Sequence, residues 1–262
     1  MTLDKHTIDA LAERLENCQL QVHDTHKITD DHPGMDWEDA YAIQAAILAR
    51  KLARGQRLMG LKAGLTSFAK MKQMGVNSPV FGFMTDDFAV PHGGEVRMSE
   101  LIHPKVEPEI AFVTHKALKG PGCHIGNVLD ATDFVLPGIE VIDSRYRDFK
   151  FDLKSVIADN TSAARFVVGG SPTRLAGLDL RTVGIVMEKN GVPVAFGAGA
   201  AVLGHPATAI AMLANHLGAR GQEIPAGTLI LSGGITEAVA VAAGDHVSLR
   251  VQGMGSTGLR FI

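Results

Sequence analysis

The chain has 262 residues, 46% of them hydrophobic and 5% aromatic, with 29 glycines and a formal net charge of -3. That is enough apolar material for one large domain, alone or with a smaller appendage. Charges of both signs are spread along the chain, which excludes a basic surface for nucleic acid or an anionic membrane. Two distant cysteines, Cys18 and Cys123, make neither a disulfide framework nor a thiolate zinc site, so a reduced cytoplasm is expected. The N-terminal segment lacks an apolar signal core, and no apolar stretch approaches the ~18 residues a membrane helix needs.

The first sixty residues read as helical. Ile8, Leu11 and Leu15 recur at helical spacing. After a polar break, Asp36 reads as the N-cap of a second helix. Ala40, Ile43, Ile47 and Leu48 line its face, and Gly55 ends it.

From Gly60 the pattern changes to short apolar runs between Gly, Pro and Asp turns, as in "VEPEIAFVTH" and "DFVLPGIEVID". These read as strands. "VGIVMEKNGVPVAFGAG" is a hairpin turning on Asn190-Gly191. One later helix is expected, with Ile210, Leu213 and Leu217 on a face, followed by the strands "GTLILSGGI" and "HVSLRVQGMG". The expected organisation is a helical region over 1–59 and a mostly β domain over 60–262.

Within "HPKVEPEIAF", Glu107 and Glu109 are two residues apart. In a strand they share a face, with Cα atoms roughly 6.5–7 Å apart. Taken alone, such a pair is ordinarily a solvated face, because Glu is mostly exposed. Pro108 between them offers no N–H and suits a strand start or edge. Glu140, between Ile139 and Val141 in an apolar run, shifts the balance. A lone buried carboxylate is costly unless it is paired or ligates a metal. Three carboxylates in one place repel strongly unless a cation joins them, and an all-oxygen site suits Mg²⁺ or Mn²⁺ over zinc.

Lys62 lies in the apolar, glycine-rich "MGLKAGLTS". A partly buried lysine beside a metal site can stabilise an oxyanion or carry a proton. Thr66 and Ser67 place hydroxyls nearby in sequence. Asp159 and Asn160 fall between two apolar runs and read either as a turn held by Asx hydrogen bonds or as part of a site. The Gly-Gly turn in "LSGGITEAV" has amides able to hold a carboxylate. "GMGSTG" matches a dinucleotide fingerprint in letters only, since it lies too near the end of the sequence for the required helix. His103 and His205 read as structural or lining residues.

Five segments then resemble a known family in their order: "GLKAGLTS", "HPKVEPEIAF", "PGIEVIDSRYRDFKFDLKSVIADNTS", "GAGAAVLGHPA" and "LSGGITEAV". The family is the fumarylacetoacetate hydrolase superfamily, and within it the branch of 2-keto-4-pentenoate hydratases and 4-oxalocrotonate decarboxylases. The words "GHPA" and "GGITEAV" resemble the decarboxylase side.

The resemblance implies an α+β fold, a mixed β-roll core with an α-helical N-terminal cap. It implies Mg²⁺ (or Mn²⁺) held by Glu107, Glu109 and Glu140, and an active-site role for Lys62. It also implies work in the meta-cleavage degradation of catechols, as a homo-oligomer in complex with the pathway hydratase. The expected reaction converts 2-oxohex-3-enedioate, a dicarboxylate, to 2-hydroxypenta-2,4-dienoate and CO₂. Expected substrate contacts are Leu61, Leu65, Thr66, Ser67, Lys105, Asp159, Gly234 and Ile235, with Lys105 or Arg145 balancing charge. The competing readings are the hydratase, an acylpyruvate hydrolase and a non-catalytic partner subunit.

Overall fold

The computed structural model describes every residue except 74, 75 and 77, and every side chain except those and 69, 70 and 73. Three helices come first: α1 (Lys5–Leu20), α2 (Ile28–Asp31) and α3 (Trp37–Ala53). Asp4 opens α1 by accepting from the Thr7 amide. Asp36 opens α3 in a reciprocal capping box, each of Asp36 and Asp39 accepting the other's amide at 2.9 Å. Gly55, at φ 94°, turns the chain out of α3. The expected apolar faces are buried, with Ile8, Leu11, Leu15, Ala40, Ile43 and Ile47 in one cluster.

This helical cap is fastened to the β region. The same cluster includes Val80, Phe83 and Ile157 from beyond the cap. Gln44 donates to the carbonyls of Phe81 and Ile157 at 2.9 and 2.8 Å. Buried Lys51 pairs with Asp87 at 3.0 Å and lies 4.4 Å over the Phe88 ring.

The remaining elements in order are β1 (Leu58–Gly64), α4 (Phe68–Gln73), β2 (Val80–Thr85), β3 (Glu95–Val96), β4 (Lys105–Thr114), α5 (Ile125–Ala131), β5 (Thr132–Ile142), α6 (Leu153–Ala158), β6 (Ala163–Val168), β7 (Gly184–Lys189), β8 (Val192–Ala198), α7 (Pro206–Gly218), β9 (Leu229–Leu231), β10 (Val239–Ala240), β11 (His246–Val251) and β12 (Gly255–Phe261). One mixed sheet runs β2-β1-β9-β4-β5-β6, with β10 also on β4. The other runs β3-β12-β11-β7-β8. Only the β1–β9 and β3–β12 pairs are parallel among the described ladders.

Both sheets feed one core, in which Ile110, Phe112 and Ile139 of the first meet Met187, Val247 and Leu249 of the second. This is the expected mixed β architecture under a helical cap. The Asn190-Gly191 hairpin is present, with φ 55° and 76° at its two turn residues. Ile210 and Leu213 of α7 are buried and Leu217 is partly buried. His205 proves to be the N-cap of α7, its Nδ1 accepting from the Ala207 amide at 3.0 Å.

Pro108 departs from expectation. It lies inside β4, which pairs with β5 along its whole length. On its other side β4 is covered by β10 at Lys105–Val106 and by β9 at Ala111–Val113. Pro108 falls in the gap between them. Its carbonyl accepts from the Ile235 amide at 2.9 Å, so its ring nitrogen faces that gap too. No ladder bond is lost there, which is how an interior strand tolerates a proline.

Candidate metal centre and active site

The β4–β5 register assembles the carboxylates. Glu107 and Glu109 point to one face of β4, and Glu107 is paired directly with Glu140 of β5. Directly opposite residues have Cβ atoms about 4.5–5.5 Å apart. Opposite Glu109 stands Gly138, which adds no side chain to the crowd. The three groups offer carboxylate oxygens all within 4.8 Å of one another.

Glu109 is 0% exposed and Glu140 1%. Burial, then the neighbouring Glu140, push the Glu109 carboxyl well above the usual carboxylate range. Burial likewise raises Glu140, against the pull of Lys62. Apart from the Lys62–Glu140 ion pair and their contact with each other, Glu109 Oε1 and both Glu140 oxygens have no hydrogen-bond donor among the described residues. Buried carboxylate oxygens without a protein donor fit the ligand set of a cation, and an all-oxygen set suits a hard divalent ion.

The expected Gly-Gly turn does hold a carboxylate, and it is the protein's own. The Gly233 amide donates to Glu109 Oε2 at 2.6 Å. Gly233 has φ 105°, and a Cβ there would come within 2.1 Å of Thr66 Oγ1. Only glycine fits. A Cβ at Gly234 would lie 3.0 Å from the Glu107 carboxyl.

Lys62, 2% exposed, comes from β1 and crosses to the same cluster. Its Nζ lies 2.8 Å from Glu140 Oε1 and donates to the Thr161 carbonyl at 3.2 Å. It sets one positive charge beside the two fully buried carboxylates, Glu109 and Glu140.

A cavity of about 260 Å³ opens beside this cluster. Of the expected residues, Lys62, Leu65, Thr66, Ser67, Lys105, Glu107 and Gly234 line it. Lys105 holds its Nζ 4.2 Å over the Phe149 ring, and the His103 ring lies tilted against it at 4.7 Å. Phe149, Phe151, Thr161 and Ser162 also line the cavity, and sequence reasoning did not single them out. Thr161 and Ser162 were within reach of it, since they follow Asp159-Asn160 directly.

Four expected residues lie elsewhere. Leu61, one step along β1 from Lys62, faces a different groove of about 1150 Å³ beside Tyr41, Leu48 and His216. Alternation along a strand sends neighbours to opposite faces. Ile235 is 5% exposed and packed into the main core. Asp159 is fully buried and bound to Arg145 through Nε, while its Oδ2 accepts the Arg145 amide at 3.1 Å. Burial pushes the Asp159 carboxyl up to about 6 despite that arginine. Arg145 is committed to the same contact and to the carbonyls of Asp143 and Ala163 at 2.7 and 3.1 Å. Neither has charge left over for a substrate.

A model of the fumarylacetoacetate hydrolase C-terminal family matches residues 58–261. The chain belongs to that family. It is 59% identical over 261 residues to a 4-oxalocrotonate decarboxylase of Pseudomonas putida, covering 100% of this chain and 99% of the relative. A 2-hydroxyhexa-2,4-dienoate hydratase of Comamonas testosteroni is 41% identical, with 98% of each covered. The structure of 4-oxalocrotonate decarboxylase from Pseudomonas putida G7, complexed with magnesium and adipate, superposes with a TM-score of 0.98 at 57% identity. That superposition covers 100% of this chain and 99% of the other. Family membership is thus shared with both decarboxylases and hydratases, and the identity is greater to the decarboxylase.

Proposed function

We propose that this family member is a metal-dependent decarboxylase of 2-oxohex-3-enedioate (4-oxalocrotonate), yielding 2-hydroxypenta-2,4-dienoate and CO₂. One observation carries the reading. A Glu107–Glu109–Glu140 cluster, two of its members fully buried and one touched by Lys62, sits in a chain 59% identical, end to end, to a decarboxylase of that substrate. Glu107, Glu109 and Glu140 would hold Mg²⁺, or Mn²⁺, which supplies Lewis-acid polarisation of the 2-oxo group when bound. The magnesium and adipate in the Pseudomonas putida G7 structure support a divalent ion and a six-carbon dicarboxylate in this site.

The protein's own groups do the rest. The C5–C6 bond breaks, CO₂ leaves, and the electron pair moves through the conjugated chain to the 2-oxo oxygen. The Lys62 ammonium meets that developing charge and gives it a proton, a role its position 2.8 Å from Glu140 supports. Leu65, Val80, Val156 and Phe151 give the cavity apolar wall. Poor solvation of the distal carboxylate there favours its loss as CO₂. Lys105, held on Phe149, adds positive charge that offsets the repulsion between a dianionic substrate and three glutamates.

A homo-oligomer in complex with the hydratase that consumes the dienol belongs to the same reading, as does a cytoplasmic location. Exposed Val192, Val194 and Phe196 on edge strand β8 support the first. Unpaired, buried Cys18 and Cys123 support the second.

The test is product identification from 2-oxohex-3-enedioate with Mg²⁺, with and without EDTA. Metal-dependent CO₂ release is expected. Loss of dienol absorbance without CO₂ would make the protein a hydratase, and full activity in EDTA would remove the metal from the chemistry.

A further inference from the structure

Asn160, Thr161 and Ser162 form a turn in which three consecutive non-glycine residues have φ of 47°, 53° and 61°. A β-branched threonine in that region is uncommon, and such runs persist only where the surroundings impose them. Here the surroundings do. Asn160 ties the turn to β2, accepting from the Phe83 amide at 2.9 Å and donating to the Phe83 carbonyl at 3.0 Å. Gly82 makes room, since a Cβ there would lie 2.7 Å from Thr161 Oγ1 and 2.8 Å from Asn160 Oδ1. Arg145 clamps both ends of the turn through the carbonyls of Asp159 and Ala163.

What the turn presents is unpartnered. Thr161 is 5% exposed and Ser162 3%, and neither hydroxyl has a hydrogen-bond partner among the described residues. Both residues line the cavity beside the carboxylates. The Thr161 carbonyl takes a hydrogen bond from Lys62, the same ammonium that touches Glu140. Buried hydroxyls are nearly always satisfied, so two adjacent unpartnered ones, on residues that line a cavity, call for a ligand to complete them. Their place beside Lys62 puts those acceptors at the end of the ligand nearest the carboxylate cluster.

We infer that the Asn160–Ser162 turn is a substrate-binding element whose Thr161 and Ser162 hydroxyls hold the oxygens of the 2-oxo-acid end. Asp159 and Arg145 are positioning residues for it. This rests on the reading of the cavity as a 2-oxo-dicarboxylate site.

The test uses two non-reacting probes on the full chain loaded with Mg²⁺. In 2-oxoadipate no double bond links the ketone to the distal carboxylate, so it does not decarboxylate. In 2-oxopentanoate the distal carboxylate is missing. Calorimetric titration of Thr161→Val and Ser162→Ala should show each probe weakened by about tenfold per hydroxyl removed. Mg²⁺ binding and the melting temperature should stay at wild-type values, and Thr161→Ser should bind as the wild type does.

Unchanged affinity in both variants overturns the inference, as does failure of the wild type to bind either probe. A loss confined to 2-oxoadipate overturns the assignment to the 2-oxo-acid end. If Thr161→Val fails to fold, Ser162→Ala, which only deletes an oxygen, decides alone. Decarboxylation is a separate readout. Weakened binding in a wild type that releases no CO₂ sinks the proposed reaction and leaves the turn's role standing. Active wild type with unaffected probe binding in the variants does the reverse.

Discussion

Glu107 of β4 and Glu140 of β5 are direct partners across an antiparallel ladder, two carboxylates where like charges are ordinarily selected against. Glu109 joins them from two residue pairs along the ladder, fully buried. The arrangement is tolerable with a cation among them and unfavourable without one. Lys62 supplies one positive charge, 2.8 Å from Glu140.

Glu109→Gln should abolish metal-dependent turnover and weaken Mg²⁺ binding while the fold is kept. Without metal the variant should melt at or above the wild-type temperature, because a neutral amide escapes the burial and crowding that raise the Glu109 carboxyl. Adding Mg²⁺ should raise the melting temperature of the wild type and hardly move that of the variant. Thermal unfolding with and without EDTA checks both arms.

Lys62→Ala should lower kcat by about 10²–10⁴-fold with Mg²⁺ binding retained. An unchanged kcat would remove the ammonium from the chemistry. Lys62→Arg should not rescue, because a planar guanidinium cannot stand where one ammonium spans Glu140 and the Thr161 carbonyl.

Asp159→Ala should destabilise the protein by about 3–5 kcal/mol, since it leaves the buried Arg145 guanidinium without its counter-charge. Urea unfolding measures it. The fall in stability should exceed that of Asp159→Asn, which still offers a carbonyl oxygen to Arg145.

His216 gives the fold an acid sensitivity. Burial, reinforced by Arg220 at 3.2 Å, lowers its pKa from 6.5 to about 4. Its ring packs on Tyr41 and Phe81 at 4.4 and 5.0 Å. Between those two values the unfolded chain binds the proton that the folded chain refuses. Its contribution is therefore whole above pH 6.5 and is lost as pH falls towards about 4. Unfolding free energies at pH 7 and pH 5 should differ less in His216→Phe than in the wild type.

Asp36→Ala should cost about 1 kcal/mol through the lost cap of α3, with kcat unchanged. Denaturant titration and a steady-state assay together check it.

Much of this was legible in the residues themselves. Local signals do not depend on distant partners. The Asp36 cap, the faces of α1 and α3, the Asn190-Gly191 hairpin and the late helix are all set within a few residues. Glu107 and Glu109 share a face by the period of a strand, and Glu140 stood out because an apolar run cannot hide a lone charge.

Other features were decided by the tertiary structure alone. The β4–β5 register brings Glu140 opposite Glu107, 33 residues earlier in the sequence. The open stretch of β4 between β9 and β10 gives Pro108 its place inside the sheet. Strand alternation and packing turned Leu61 and Ile235 away from the cavity, and Arg145 claimed Asp159. A sequence states which side chains can carry chemistry. Which of them face one cavity depends on ladder register and on which buried charges find each other first, and both are properties of the folded chain.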